Sequence, residues 1–421
     1  MNSKYVIKNK TIANFLVFAI IVFNIYAKPI GDIFGLPSFF FSAIPLVLLF
    51  ATIAISGKIN LNIGSNFKLY SVLLAITLLL HVLFRGVGTS AIIYLLYYVT
   101  FAVVLSVADE DAWKNVEKAI MLVALLMSIE VITKIPTLLA SSLNLYNIRS
   151  YVILDKPVYS FMLGLGSIIG FFEVLKNKEW KLIKKVAIAA VTILFAILNV
   201  LVIQSKIFIL GIVISALFTY FAARSKVKRT LRRSIIVIIV AVVAVILLYP
   251  SIIPDYIYVF INRYTGLFSS YVTERQTITY DTRDAITSYA IEIFKENPLL
   301  GVGFGNYSSY AAKNFSLGVT ETESTVLNML VEGGLLGFLS YVGFMISIFM
   351  GLWSKIKCRS NNYHLVEIFC VFIMLMVLSA GNDFYNISFW TIIAFAYAAT
   401  RSGESYENVV SDYLSDDGND L

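Results

Sequence analysis

Apolar residues run along this chain in blocks, parted by short polar clusters, and one long polar interval, 251–323, breaks the rhythm. A membrane-crossing helix needs about 17–25 mostly apolar residues, and about twelve blocks meet that length. They are centred near residues 19, 46, 76, 98, 127, 166, 193, 214, 242, 337, 372 and 392. The pattern predicts an all-α polytopic membrane protein, with one large extracytoplasmic loop that contains an amphipathic helix. Residues 1–250 would hold transmembrane helices 1–9, 251–323 the loop, 324–401 helices 10–12, and 402–421 an acidic cytoplasmic tail. The blocks near 193 and 214 are separated only by a short polar break, and the first block reads as a signal anchor.

Loops longer than about 15 residues are uncommon without a function, which draws attention to 251–323. Within it Ile286, Tyr289, Ala290, Ile293 and Phe294 recur at the i, i+3, i+4, i+7, i+8 spacing of a helix with one apolar face. Asp281 can cap its start, and Asn297-Pro298 stops it. A smaller polar interval, 141–156, carries Asn144, Tyr146, Asn147, Arg149 and Asp155 and could wall the same cleft.

Composition supports the membrane reading: 59% hydrophobic, 14% charged and a mean hydropathy of +0.82 lie outside soluble usage. The net charge of +7 comes from Lys and Arg concentrated in 4–10, 176–185, 224–233 and 355–359. Those segments share one side if the N-terminus is cytoplasmic, which is the positive-inside bias. The charge therefore sets topology and excludes a nucleic-acid partner, and it sends 251–323 to the outer face. Cys358 and Cys370 fall near the cytoplasmic face, where no disulfide is expected.

The candidate chemistry lies in and beside the loop. Arg283 falls on the apolar face of the predicted helix, at its N-terminal end, where a cation opposes the helix dipole. A planar guanidinium there suits an anionic ligand such as phosphate; a salt bridge to Asp284, Asp281 or Glu274 is the alternative. Lys206, in Gln204-Ser205-Lys206, would be a second cation at the outer boundary, or would simply snorkel; Arg149 is a third cation. Gly303 and Gly305, with Gly301, are spaced like a phosphate cradle but follow a helix, so a tight turn competes with that reading. Glu323, just before the tenth span, could act as a general base or stabilise the helix N-terminus, with Glu321 a competitor. Glu332 is an intramembrane acid expected to anchor its helix, and Gly333 and Gly337 form a GxxxG pair suited to close helix packing. Glu130 has Lys134 at i+4, a local pair, and His81 reads as a satisfied core histidine. No sequence cluster suggests a metal site or a cofactor.

The order Arg283, helix, Asn297-Pro298-Leu299-Leu300-Gly301-Val302-Gly303-Phe304-Gly305, then Leu327-x-x-Leu330-x-Glu332-x-Gly334-x-x-Gly337 resembles the O-antigen ligase and O-antigen polymerase family. The resemblance implies a metal-independent glycosyltransferase in the bacterial cytoplasmic membrane, with an undecaprenyl-pyrophosphate-linked glycan as donor. Arg283 and Lys206 would hold the pyrophosphate, and Glu323 would activate the acceptor. A flippase and a chain-length regulator of the same pathway are implied as partners, besides the lipid bilayer. Ligases of this kind have His-Asn where this chain has Glu323-Ser324, which favours a polymerase of O-antigen or capsule repeat units over a ligase. A transporter or flippase is the alternative of another class, although the polar cluster lies outside the spans.

Overall fold

The computed structural model describes residues 3–56, 65–86, 91–140, 152–154, 156–177, 179–203, 205–222, 286–315, 322, 324–358, 362–381 and 386–401. Among them the regular structure is helical. In order come α1 (Ser3–Ile25), α2 (Ala27–Phe34), α3 (Ser38–Ser56), α4 (Ser65–Phe84), α5 (Ala91–Leu105), α6 (Glu110–Ala140), α7 (Lys156–Lys176), α8 (Leu182–Ile197) and α9 (Lys206–Ala222). After the loop segment come α10 (286–296), α11 (Tyr307–Phe315), α12 (Thr325–Cys358), α13 (Tyr363–Gly381) and α14 (Ile387–Arg401).

Helices of this composition form in lipid because each satisfies its own backbone. Seven described helices are long and apolar enough to cross a membrane, and an eighth span results if α1 and α2, bent by 73°, count together. Among the described residues the count thus stands at seven or eight, against about twelve expected for the whole chain. Leu95–Leu105 and Ile207–Phe221 are shorter apolar stretches, and the block near 242 lies outside the described residues. The short break between the blocks near 193 and 214 is present: α8 ends in a π-turn, Leu198–Val202, before α9 starts.

α7 and α13 form the centre of the bundle, each buried over 72% of its spanning window, against 17% for α4. α13 packs on α9 and α7, α12 on α4 and α13, and α14 on α5. α7 permits this crowding because it presents Gly164 to Met374 and Phe208, and Gly170 to Thr192. The outward faces carry Phe15, Val47, Leu79 and Ile193, apolar side chains exposed where lipid would cover them.

Antiparallel packing gives the bundle two ends. Thr219, late in α9, meets Cys370, early in α13, and Lys176, last in α7, meets Glu367, early in α13. The starts of α7, α9 and α12 therefore share the opposite end with the finish of α4. Both cysteines are free thiols.

Candidate active site at the broken helix

The amphipathic helix of the loop is present as expected, with Ile286, Ala290 and Ile293 buried and Tyr289 and Phe294 half-buried. It stops at Asn297, whose amide still bonds back to the carbonyl of Ile293. The loop holds more than one helix, however. α11 follows, and Ala290, Ile293, Val302, Tyr307 and Ala311 bury against Val331 of α12 in a small core of their own. Sequence reasoning missed α11 because it is only nine residues long and mostly polar or small, so its apolar stripe rests on Tyr307 and Ala311 alone.

α12 breaks at Gly334, where φ is 59° and ψ −160°, a region that essentially only glycine occupies. In an unbroken helix the amides of Leu335 and Leu336 would bond to the carbonyls of Val331 and Glu332. Here they bond instead to the carbonyls of Pro298 (2.9 Å) and Leu299 (3.4 Å). The freed carbonyls of Val331 and Glu332 accept the amides of Val302 and Gly303, both at 3.0 Å. The turn 298–303 and the helix thus exchange i→i+4 partners, and these backbone groups stay satisfied. The exchange demands close backbone approach. A Cβ on Gly334 would lie 2.5 Å from the Gly301 nitrogen and the Leu299 carbonyl carbon, and a Cβ on Gly301 would strike the Val331 carbonyl.

α4 clamps the same turn from the other side. His81 is fully buried, with Nε2 2.6 Å from the Leu300 carbonyl and Nδ1 accepting the Phe304 amide at 3.2 Å. That pairing needs the neutral tautomer with its proton on Nε2. The expectation of a satisfied core histidine holds, and its partners lie more than 200 residues away. Phe304 packs edge-on to His81 and fills the notch left by Gly333 and Gly337, whose Cβ atoms would lie 3.1 and 3.2 Å from its ring. The GxxxG pair therefore receives a loop phenylalanine, which corrects the helix-packing expectation. Glu332 is buried, and its Oε1 accepts the Tyr307 amide at the start of α11. Gly303 and Gly305 both have positive φ, and the Gly303 amide is engaged inside the turn.

The start of α9 lies at this same end. Ser205 caps the helix through Oγ to the Phe208 amide and pairs with Ser160 Oγ at 2.5 Å, while Asn199 of the π-turn donates to the Ser160 carbonyl. Lys206 is the first residue of α9, so its backbone stands where amide dipoles favour an anion. Ser324 caps α12 likewise, accepting the Asn328 amide on its carbonyl and the Leu327 amide on Oγ. Arg283, Glu323, Glu321 and Arg149 lie outside the described residues, as do Asp281, Asn144, Asn147 and the acidic tail. Glu130 does not make the expected local pair with Lys134. Its carboxylate accepts from Tyr159 Oη (2.6 Å) and the Ile153 amide (2.7 Å), which ties the 152–154 segment to α6 and α7.

Two tyrosines of the loop have raised pKa values. Tyr310 is held up by its hydrogen bond to the Glu296 carboxylate, and Tyr307 by burial. An apolar groove of ≈460 Å³ runs down the bundle between α9, α12 and α13, from Val326 and Ser379 at this end to Phe349 and Phe218.

A helical membrane protein whose loop is exchanged into a broken span, beside two capped helix starts, defines the class. Residues 190–342 match the family described as O-antigen ligase, a stretch reaching from α8 to just past Gly337. That segment is therefore similar to the O-antigen ligase family. No curated protein matches the chain.

Proposed function

We propose that this chain polymerises undecaprenyl-pyrophosphate-linked oligosaccharide repeat units into surface polysaccharide on the outer face of the cytoplasmic membrane. The observation that carries the reading is the coincidence of the family match with the elements built around the Gly334 break. An acceptor hydroxyl attacks the anomeric carbon of the donor glycan, the bond to pyrophosphate breaks, and undecaprenyl pyrophosphate leaves with the electron pair. Glu323 takes the hydroxyl proton. Arg283 and Lys206, with Arg149 in reserve, hold the pyrophosphate, so its charge is neutralised by fixed cations. Lys206 at a capped helix start supports that role, and the apolar groove beside α12 suits the isoprenoid tail.

Glu323-Ser324 in place of His-Asn favours polymerisation over ligation. The test is the glycan ladder in cells lacking the gene, complemented with wild type, Arg283→Ala or Glu323→Gln at matched membrane levels. A ladder restored only by wild type supports the reading. Fully polymerised lipid-linked chains that never reach their acceptor mean a ligase, and an intact ladder with Arg283→Ala removes the pyrophosphate assignment.

A further inference from the structure

At the end of the bundle opposite the broken helix, α6, α7 and α13 bury a charged cluster that the glycosyl transfer does not use. Lys176 bonds to Glu117 (2.6 Å), Glu173 (2.9 Å) and Glu367 (2.6 Å). Glu367 is fully buried and the Glu117 side chain is 7% exposed. Three carboxylates therefore surround one ammonium, more acidic groups than Lys176 alone can neutralise. Isolated charges are costly to bury and are held in structures by a partner.

Two further observations point to what that partner is. Glu367 gives Oε2 to Lys176, while its Oε1 is buried and, among the described residues, has no hydrogen-bond partner. His364, one turn earlier on α13 and edge-on to Trp113, brings a ring nitrogen within 4.8 Å of carboxylate oxygens of both Glu117 and Glu367. Ligand atoms on a tetrahedral ion lie about 3.4 Å apart, so small side-chain rotations of about 1 Å would close the set.

We propose that Glu117, His364 and Glu367 form a binding site for one divalent transition-metal cation of the zinc or manganese type. The dication would offset the carboxylates that Lys176 leaves unneutralised. Each of the two carboxylates turns one oxygen to Lys176 and the other to the metal. An imidazole among the ligands favours zinc, manganese or iron over magnesium and calcium, which take oxygen alone. The site pins α6, α7 and α13 together at the end remote from the transfer chemistry, so it is structural and independent of the reaction proposed above.

The test uses the full-length, tag-free protein in detergent, stripped with EDTA and equilibrated with micromolar Zn²⁺. The chain has only two histidines, and both ring nitrogens of His81 are engaged, so background binding is small. One zinc per chain by plasma mass spectrometry, with a rise in melting temperature, is expected. Glu367→Gln should abolish uptake, and His364→Gln should weaken it about tenfold or more. With Co²⁺, visible bands of nitrogen and oxygen ligation should appear in wild type and vanish in His364→Gln. Zinc uptake by wild type no greater than by Glu367→Gln, or cobalt bands unchanged in His364→Gln, would overturn the proposal.

Discussion

Replacing Gly334 with alanine puts a side chain at the one point where α12 and the turn 298–303 exchange hydrogen bonds. The backbone there, φ 59° and ψ −160°, costs a non-glycine residue about 1–3 kcal/mol. The new Cβ would also lie 2.5 Å from backbone atoms of Gly301 and Leu299, a clash that no rotamer relieves. The turn must therefore withdraw. It is held by four exchanged bonds, each contributing about 0.5–1.5 kcal/mol net, or roughly 2–6 kcal/mol together. A loss on the order of 3 kcal/mol of local stability should raise amide exchange of Val302, Gly303, Leu335 and Leu336 about 100-fold, since 1.4 kcal/mol is roughly a factor of ten. Hydrogen–deuterium exchange with peptide-level mass spectrometry measures this on Gly334→Ala and wild type in the same detergent. Peptides spanning α7 and α13 serve as the internal control. Exchange at the turn equal to wild type, with a full glycan ladder in cells, would refute the exchanged-partner account of the loop.

His81→Ala should orphan the Leu300 carbonyl and the Phe304 amide, each at about 1–3 kcal/mol. The turn peptides should lose protection, with the ladder shortened or absent. Gly333→Ala should press its methyl on the Phe304 ring, 3.1 Å away, and reduce activity; Phe304→Leu in the same chain should restore part of it, whereas additive defects would reject that contact. Glu332→Gln keeps an oxygen for the Tyr307 amide and should retain most activity. Glu332→Ala removes that acceptor and should loosen α11 by about 1–3 kcal/mol, read by protease cleavage within 307–315. Tyr310 has a raised pKa, so its contribution through Glu296 is fully present below the ordinary tyrosine pKa and is lost as pH climbs through the raised value. Because that pair is largely exposed, Tyr310→Phe should change stability by less than about 1 kcal/mol across neutral pH, as thermal melts of the two chains would show.

Much of this protein was legible in the chain itself. Blocks of apolar residues fix helices that satisfy their own backbone in lipid, whatever surrounds them. A stripe at Ile286, Ala290 and Ile293 needs only the helical period to be read, and Asn297-Pro298 ends that helix by local sterics. The resemblance rested on the turn and on Glu332, Gly334 and Gly337 because backbone geometry that only glycine tolerates leaves a trace in sequence. The sequence could mark Gly334 but not say what the glycine admits, since Pro298, Leu299, Val302 and Gly303 are remote in sequence from their exchanged partners. Pairings across long separations have no local signature. His81 looked like an isolated polar residue until the fold set Leu300 and Phe304 on its two nitrogens. Glu130 had a plausible partner four residues on, and packing gave it Tyr159 and the Ile153 amide instead. Lys176 belonged, by pattern, to a topology-setting basic run. Beyond its local i,i+3 partner Glu173, tertiary structure alone drew it into a buried group with Glu117 and Glu367, because three helices converge there and a charge taken out of water must find its partners wherever the fold supplies them.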